Sequence, residues 1–160
     1  MYARDIAEIA TPIGMVRIVG DAKAVKSIEI GSDKTDEMQP HTGAVAIAAD
    51  QIRAWFAGEL RRFDLPLGPA ATVRGQALRD AMIAIPYGET MSYGELARSV
   101  GSSARAIGQV CARNPFPIVV PCHRVLDANG SLGRYSAGAG PTTKSWLLDH
   151  ERLLSGRTLL

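Results

Sequence analysis

Ser92-Tyr93-Gly94-Glu95-Leu96-Ala97-Arg98-Ser99-Val100-Gly101-Ser102-Ser103-Ala104-Arg105-Ala106-Ile107-Gly108-Gln109-Val110-Cys111-Ala112 reads as two short helices joined by a tight turn. Ser92 is placed as the N-cap of a helix over Tyr93–Val100, and Glu95 completes a capping box with it. Gly101 ends that helix. Ser102 or Ser103 caps a second helix over Ala104–Ala112, which stops at Asn114-Pro115. A helix pair with glycine in the turn and an arginine, Arg105, on its second member is the pattern of a helix-turn-helix. Many helix pairs share it, so other segments must decide what the pair does.

Upstream, the character of the chain is different. GMVRIVG and AVKSIEIG, within residues 11–31, are short runs rich in β-branched residues with Asp21-Ala22-Lys23 between them, which predicts a hairpin. Residues 32–43 are polar and predict a loop. Over residues 44–57, Val45, Ala48, Ile52, Trp55 and Phe56 share a helical face, with Gly58 as the stop. Arg62–Leu65 is expected as a third short strand, and Leu67-Gly68-Pro69-Ala70-Ala71 as a linker. Past it, Gly75–Ala84 predicts a helix stopped by Pro86 and Gly88, and Pro141-Thr142-Thr143 opens a last helix to about Leu154.

The chain has 160 residues, 46% hydrophobic and 21% charged, which suits one domain or two very small ones and excludes collagen, coiled coil and disordered tails. Lys and Arg number 18 against 16 Asp and Glu, too even to mark a nucleic-acid binder by total charge. The distribution is more telling. Residues 1–80 hold ten basic and eleven acidic residues, and residues 81–160 eight and five. Arg98, Arg105, Arg113, Arg124 and Arg134 cluster with Asp127 as the one acid among them, a local positive patch of the kind phosphate binding needs. On charge alone the plainer reading is a solvated helix face. Two cysteines exclude a disulfide scaffold and a four-cysteine zinc site, and His41, His123 and His150 are too scattered to suggest a metal site, so no metal ligand is assigned. No stretch approaches the roughly 20 apolar residues of a membrane span, and the first ten residues carry acids where a leader would be apolar. The expectation is a soluble, reduced, cytoplasmic protein.

Asn114-Pro115-Phe116-Pro117-Ile118-Val119-Val120-Pro121-Cys122-His123-Arg124-Val125 carries the chemistry. Ile118–Val120 predicts buried extended chain, and Pro121 fixes the backbone just ahead of Cys122. A cysteine at such a turn is where a nucleophile would sit, and neighbouring cations lower a thiol's pKa. Cysteine is more often a small buried hydrophobe. Cys111, inside a helix beside Val110 and Ala112, fits that plain role better than Cys122 does. Adjacent residues on extended chain point to opposite faces, so His123 assists Cys122 only through a backbone turn or a bridging water. A histidine base also needs an orienting acceptor; Glu151, Asp149 and Asp127 are the candidates.

Ile118–Val125 resembles the active-site motif of the O6-alkylguanine-DNA alkyltransferases, also called methylated-DNA–protein-cysteine methyltransferases. Further matches stand in family order: Ile85–Thr90, Ser92–Ala97, Arg105–Gly108, Arg113–Pro115, Gly130–Leu132 and Trp146–Leu148, with Thr11–Gly14 and Trp55–Gly58 upstream. The resemblance covers most of the chain, best from about 85 to 151. It implies an α+β fold: a small N-terminal α/β supporting domain with a short antiparallel sheet, residues 1–71, then a mainly helical DNA-binding and alkyl-transfer domain, residues 72–160, with a winged-helix-like helix-turn-helix. It implies irreversible, single-turnover transfer of an alkyl group from guanine O6, or thymine O4, to Cys122, on a base flipped from the minor groove of double-stranded DNA. His123 would take the thiol proton through a water, Glu151 would orient His123, and Asn114 would brace the turn. Tyr93, the Val125 carbonyl, Tyr135, Ser136 and Cys111 would form the base pocket, and Arg105 would fill the vacated stack. Ser92, Ser103, Ala104, Arg113 and Arg124 would face DNA. No cofactor is implied, the protein would act as a monomer, and in a bacterium it would work at the nucleoid.

The sequence departs from the family in three places. The turn Gly101–Ala104 is about two residues shorter than usual and lacks its proline. The loop Ser136–Pro141 is longer and lacks paired glycines. Arg74, Gly75 and Arg79 stand where aromatic and Gln residues are usual, so these arginines are expected at solvent or a partner unless the helix packs differently. Two other functions fit the same residues: recognition of the lesion without repair, against which Cys122 argues, and a thiol transferase for a different or bulkier base adduct. A regulator using only the helix pair, with Cys122 structural, is a further class.

Overall fold

The computed structural model describes residues 3–41 and 43–158. The chain divides into two compact units after Gly68, inside the expected linker. The first is built on a three-stranded antiparallel sheet in the order β1-β2-β3, with β1 at Asp5–Thr11, β2 at Gly14–Gly20 and β3 at Val25–Ile30. Ile18 stands opposite Ile28 and Val16 opposite Ile9, so alternate residues place Ala7, Ile9, Val16, Ile18 and Ile28 in the core. Helix α1, Ala44–Phe56, lays Val45, Ala48, Ile52 and Trp55 against that sheet, all fully buried. The β2–β3 hairpin and α1 lie where the sequence puts them.

Two readings of this unit are corrected. Arg62–Leu65 forms no strand. The Gln51 side chain holds it instead, accepting from Asp64 N at 2.8 Å and donating to Asp64 O at 2.7 Å. The ladder partner nearby is Leu67, bridged to Val25. Strand β1 was not expected. Its pattern is disguised by acids at buried positions. The Asp5 carboxylate accepts from the Ile6 and His41 N–H groups, and that of Glu8 accepts from Ser32 Oγ at 2.9 Å and lies 3.8 Å from Arg17 across the strand pair.

The second unit is mainly helical: α2 at Val73–Ile83, α3 at Tyr93–Ser99, α4 at Ala104–Ala112 and α5 at Pro141–Thr158. Two short parallel strands, β4 at Met91–Ser92 and β5 at Val125–Leu126, tie the start of α3 to the end of the cysteine segment. The fold is therefore α+β, as expected. Thr72 caps α2, whose first residue, Val73, lies two positions ahead of the expected start at Gly75. The full capping box forms at Ser92 and Glu95, and Ser103 caps α4. Gly101 takes φ +65° between the two helices. Arg79 is buried with its guanidinium over the Phe116 ring, at 5.1 Å, a cation–π contact, so this helix packs its arginine inward and away from solvent. Arg74 is exposed.

Candidate active site

Ile118–Val120 is buried but not extended, which corrects the sequence reading. It is a turn closed by Val120 N donating to Phe116 O at 2.9 Å. Ile118 sits at φ +75°, a conformation that a β-branched residue resists and that the surrounding packing must enforce. Pro121 follows at φ −82°, ψ 61°, an inverse γ-turn closed by Cys122 N donating to Val120 O at 2.8 Å. Cys122–Arg124 then makes one turn of 3-10 helix. These tight turns separate three consecutive side chains that extended backbone would have alternated.

Cys122 goes to the wall of a cavity of about 1000 Å³, which Tyr93, Arg105, Cys111, Tyr135 and Ser136 also line. The Asn114 amide donates to Cys122 Sγ at 3.2 Å and to Val120 O at 2.9 Å, while its Oδ1 accepts from Phe116 N at 2.9 Å. Asn114 thus ties the turn and the sulfur together. Contact with the Cys111 thiol is the largest influence on Cys122. With the Asn114 donor and the Lys144 charge, it outweighs burial and holds the Cys122 thiol below its usual range.

His123 and Arg124 turn the other way, onto Glu151 of α5. His123 is wholly buried and its Nε2 lies 2.8 Å from Glu151 Oε2. Arg124 Nε donates to Oε1 at 2.9 Å and a terminal nitrogen donates to Oε2 at 2.8 Å, while its other terminal nitrogen donates to Ile85 O at 2.7 Å. Gly88 N also donates to Glu151, at 3.2 Å. Burial alone would raise the Glu151 pKa, but the His123 and Arg124 contacts pull it down to about 2. Burial dominates at His123 and pushes its pKa down. Glu151 is therefore the anion, Arg124 its permanent counter-ion, and His123 a neutral ring donating Nε2–H to the carboxylate. Of the three candidate acceptors, the structure brings Glu151 to His123; Asp149 is exposed on α5 and Asp127 lines the cavity.

Arg124 is a correction: with 6% exposure and its donors on Glu151 and Ile85, it is a buried strut, not a DNA contact. Arg105 and Ala104 lie exposed at the cavity edge on the first turn of α4, Arg113 is exposed at the other end of that helix, and the Ser92 and Ser103 hydroxyls cap α3 and α4. Tyr93 is half-buried, its pKa pushed up to about 12 mainly by burial. The Tyr135 hydroxyl is buried and has no hydrogen-bond partner among the described residues.

Lys144 escaped the sequence reading. It is fully buried, and its ammonium donates to the Val125 carbonyl at 2.7 Å, to Arg134 O at 3.2 Å and to Leu132 O, 5.9 Å from the Tyr93 ring centroid. It clips the loop before α5 to the cysteine segment. A signal was present: Lys144, Leu147, Leu148 and Glu151 share one helical stripe, so a charge at each end of an apolar pair points inward.

The site is thus a buried thiol at a cavity wall, beside a capped helix pair and backed by a buried Glu–His–Arg cluster. Residues 75–153 match the family described as 6-O-methylguanine DNA methyltransferase, DNA binding domain. A methylated-DNA–protein-cysteine methyltransferase of Mycobacterium leprae is 38% identical over 93% of this chain and 94% of its own. One of Methanosarcina acetivorans is 38% identical over 80% of this chain and 86% of its own. The crystal structure of Mycobacterium tuberculosis OGT in complex with DNA superposes with a TM-score of 0.80 at 38% identity, covering 93% of each chain. The chain belongs to the methylated-DNA–protein-cysteine methyltransferase family.

Proposed function

We propose that this protein repairs O6-alkylguanine in double-stranded DNA by moving the alkyl group onto Cys122. The supporting observation is a Cys122 sulfur held by Asn114 at the wall of a cavity large enough for a nucleobase. The Glu151 carboxylate fixes His123 as the Nε2–H tautomer, which leaves Nδ1 as the basic nitrogen. Through a water, that nitrogen takes the Cys122 proton. The thiolate attacks the alkyl carbon, the carbon–O6 bond breaks, and the electron pair goes to guanine, where Ser136 donates to O6 and Tyr93 to N3. Lys144 occupies one lone pair of the Val125 carbonyl, and the other accepts from the exocyclic amine. A thioether has no good leaving group, so each molecule acts once.

The base reaches Cys122 flipped from the stack, with α4 in the minor groove and Arg105 filling the gap. Minor-groove docking reads little sequence, which suits a lesion that arises anywhere. O4-alkylthymine presents the same alkyl–oxygen bond and is a further substrate. The protein acts as a monomer in the cytoplasm without a cofactor. A second reading, transfer from bulkier adducts, is favoured by the small residues Gly94, Ala104, Gly108 and Ala112 around the cavity.

Intact-mass and peptide spectra after incubation with O6-methylguanine duplex DNA or O6-benzylguanine test both readings. One methyl or benzyl added at Cys122, and none in Cys122→Ser, is the expected result. DNA binding without any gain in mass would point to a lesion-recognition protein instead.

A further inference from the structure

Asp127 is the one acid in the arginine-rich stretch from Arg98 to Arg134, and the mechanism above does not use it. It follows β5 directly, two residues past Val125, and lines the cavity as an exposed side chain. A tight turn fixes it there: Asp127 N donates to Ser131 O at 3.0 Å, and Asp127 O accepts from Gly130 N at 2.9 Å. Gly133, also in the cavity wall, leaves room for the carboxylate. It holds φ +71°, and a methyl group built on it would stand 2.8 Å from Asp127 Oδ1. Among the described residues that carboxylate has no hydrogen-bond or ion-pair partner. An anion here works against the approach of phosphates, so the position weakens DNA binding unless the bound state offsets it.

The donors of the substrate supply that offset. In DNA an O6-alkylguanine base carries one donor group, the exocyclic 2-amine, with two N–H bonds. One is assigned to the Val125 carbonyl. The other loses its water when the base enters the cavity, and a donor left bare there is costly. Of the described polar side chains around the cavity, the hydroxyls, thiols, amide and guanidinium groups all carry donors, and Asp127 alone is a pure acceptor. Its charge is also felt at the groups that frame that edge of the base. After burial and the two cysteines it helps raise the Tyr93 hydroxyl, and with those cysteines it opposes the burial that lowers Lys144.

We propose that Asp127 is a specificity-determining residue: its carboxylate accepts the second N–H of the 2-amine, and so selects alkylated guanine over alkylated bases that lack the amine. The inference rests on Cys122 being the alkyl acceptor and on the base lying as described above. No bond is made or broken at Asp127. O4-alkylthymine presents its O2 carbonyl on the same edge, which sets an acceptor against an acceptor, so Asp127 disfavours it.

The test is the rate of benzyl transfer to Cys122 from two free bases, O6-benzylguanine and O6-benzylhypoxanthine, which differ only in the 2-amine, for wild type, Asp127→Asn and Asp127→Ala. Asp127 is exposed, so both variants keep the core. The intrinsic reactivity of each base cancels when preferences are compared between variants. Wild type is expected to prefer the guanine, and Asp127→Ala to shrink that preference about tenfold, through the guanine rate alone. Asp127→Asn keeps a neutral acceptor and falls between. On duplex DNA, Asp127→Asn narrows the gap between O6-methylguanine and O4-methylthymine, since its amide donates to thymine O2. A preference unchanged in Asp127→Ala overturns the proposal. So does an equal loss with both bases, the mark of a residue that only shapes the turn. A wild-type protein that gains no benzyl group from O6-benzylguanine at Cys122 overturns the repair function itself, a failure visible before any variant is made.

Discussion

At the scale of single residues, Asn114 joins structure to chemistry. Its one amide group serves the Val120 carbonyl, the Phe116 N–H and the Cys122 sulfur. Asn114→Ala takes away the acceptor of the Phe116 N–H, which costs about 1–3 kcal/mol, and removes one donor from the thiolate. Asn114→Asp keeps the acceptor for Phe116 but sets a carboxylate beside the thiolate, so it preserves more of the fold and less of the reactivity. Urea unfolding and benzyl-transfer rates on the two variants are expected to rank them in opposite orders. The same pair of measurements on one variant reporting parallel losses would mean that Asn114 serves the turn alone. Asn114, Cys122, His123 and Glu151 were legible in the sequence because a motif fixes their order. Arg124 was misread because it looks like any arginine of a basic cluster, and only the 3-10 turn, invisible in residue types, sends it inward. Lys144 was missed for the converse reason, since lysine is almost never fully buried without a partner and its partners here are backbone carbonyls.

At the scale of elements, the helices could be read because their ends are written in side chains. Ser92 with Glu95 and Ser103 are caps whose chemistry is local, and both form as the residue types demand. The turn between α3 and α4 rests on Gly101 at φ +65°, and a methyl group built there meets nothing within 4 Å. Gly101→Ala is therefore a clean test of backbone strain: about 1 kcal/mol of destabilisation in urea melts, with no steric part. Gly101→Asn, which tolerates the left-handed region better, is expected to lose less. Equal losses would show that the turn depends on something other than φ. Strands were harder. The hairpin of β2 and β3 was plain from its β-branched runs, but β1 hides behind Asp5 and Glu8, whose burial depends on His41, Ser32 and Arg17 brought from elsewhere in the chain. Ile118–Val120 has the composition of a strand and the geometry of a turn, because Asn114 and Phe116 close it from outside the run. Propensity is overridden in each case by a tertiary partner that no window of sequence contains.

At the scale of the molecule, two units with separate cores raise the question of what limits stability in acid. In the second unit the answer lies in the Glu151 cluster. The Glu151 pKa falls from an ordinary 4.5 to about 2, and buried His123 also sits below its ordinary 6.5. Both groups bind fewer protons folded than unfolded, so stability rises with pH. The His123 contribution is complete above 6.5 and is lost on going below it; that of Glu151 is complete above 4.5 and is lost as pH falls toward 2. In urea unfolding of Trp55→Phe protein, where Trp146 fluorescence reports on the second unit and the Glu151 cluster is unaltered, stability is therefore expected to weaken from about pH 6 downward and to fall more steeply below 4.5. Glu151→Gln strands the Arg124 guanidinium in the interior, a loss of about 3–5 kcal/mol at neutral pH, and abolishes the steep acid limb. A wild-type profile flat between pH 6 and 3 would mean that the cluster is already open to water, in which case Glu151 could not hold His123 in the tautomer that the proposed transfer needs. The same measurement thus bears on the proposed catalysis: His123, the proton acceptor proposed for Cys122, stays in place only as long as the carboxylate beneath it remains ionised.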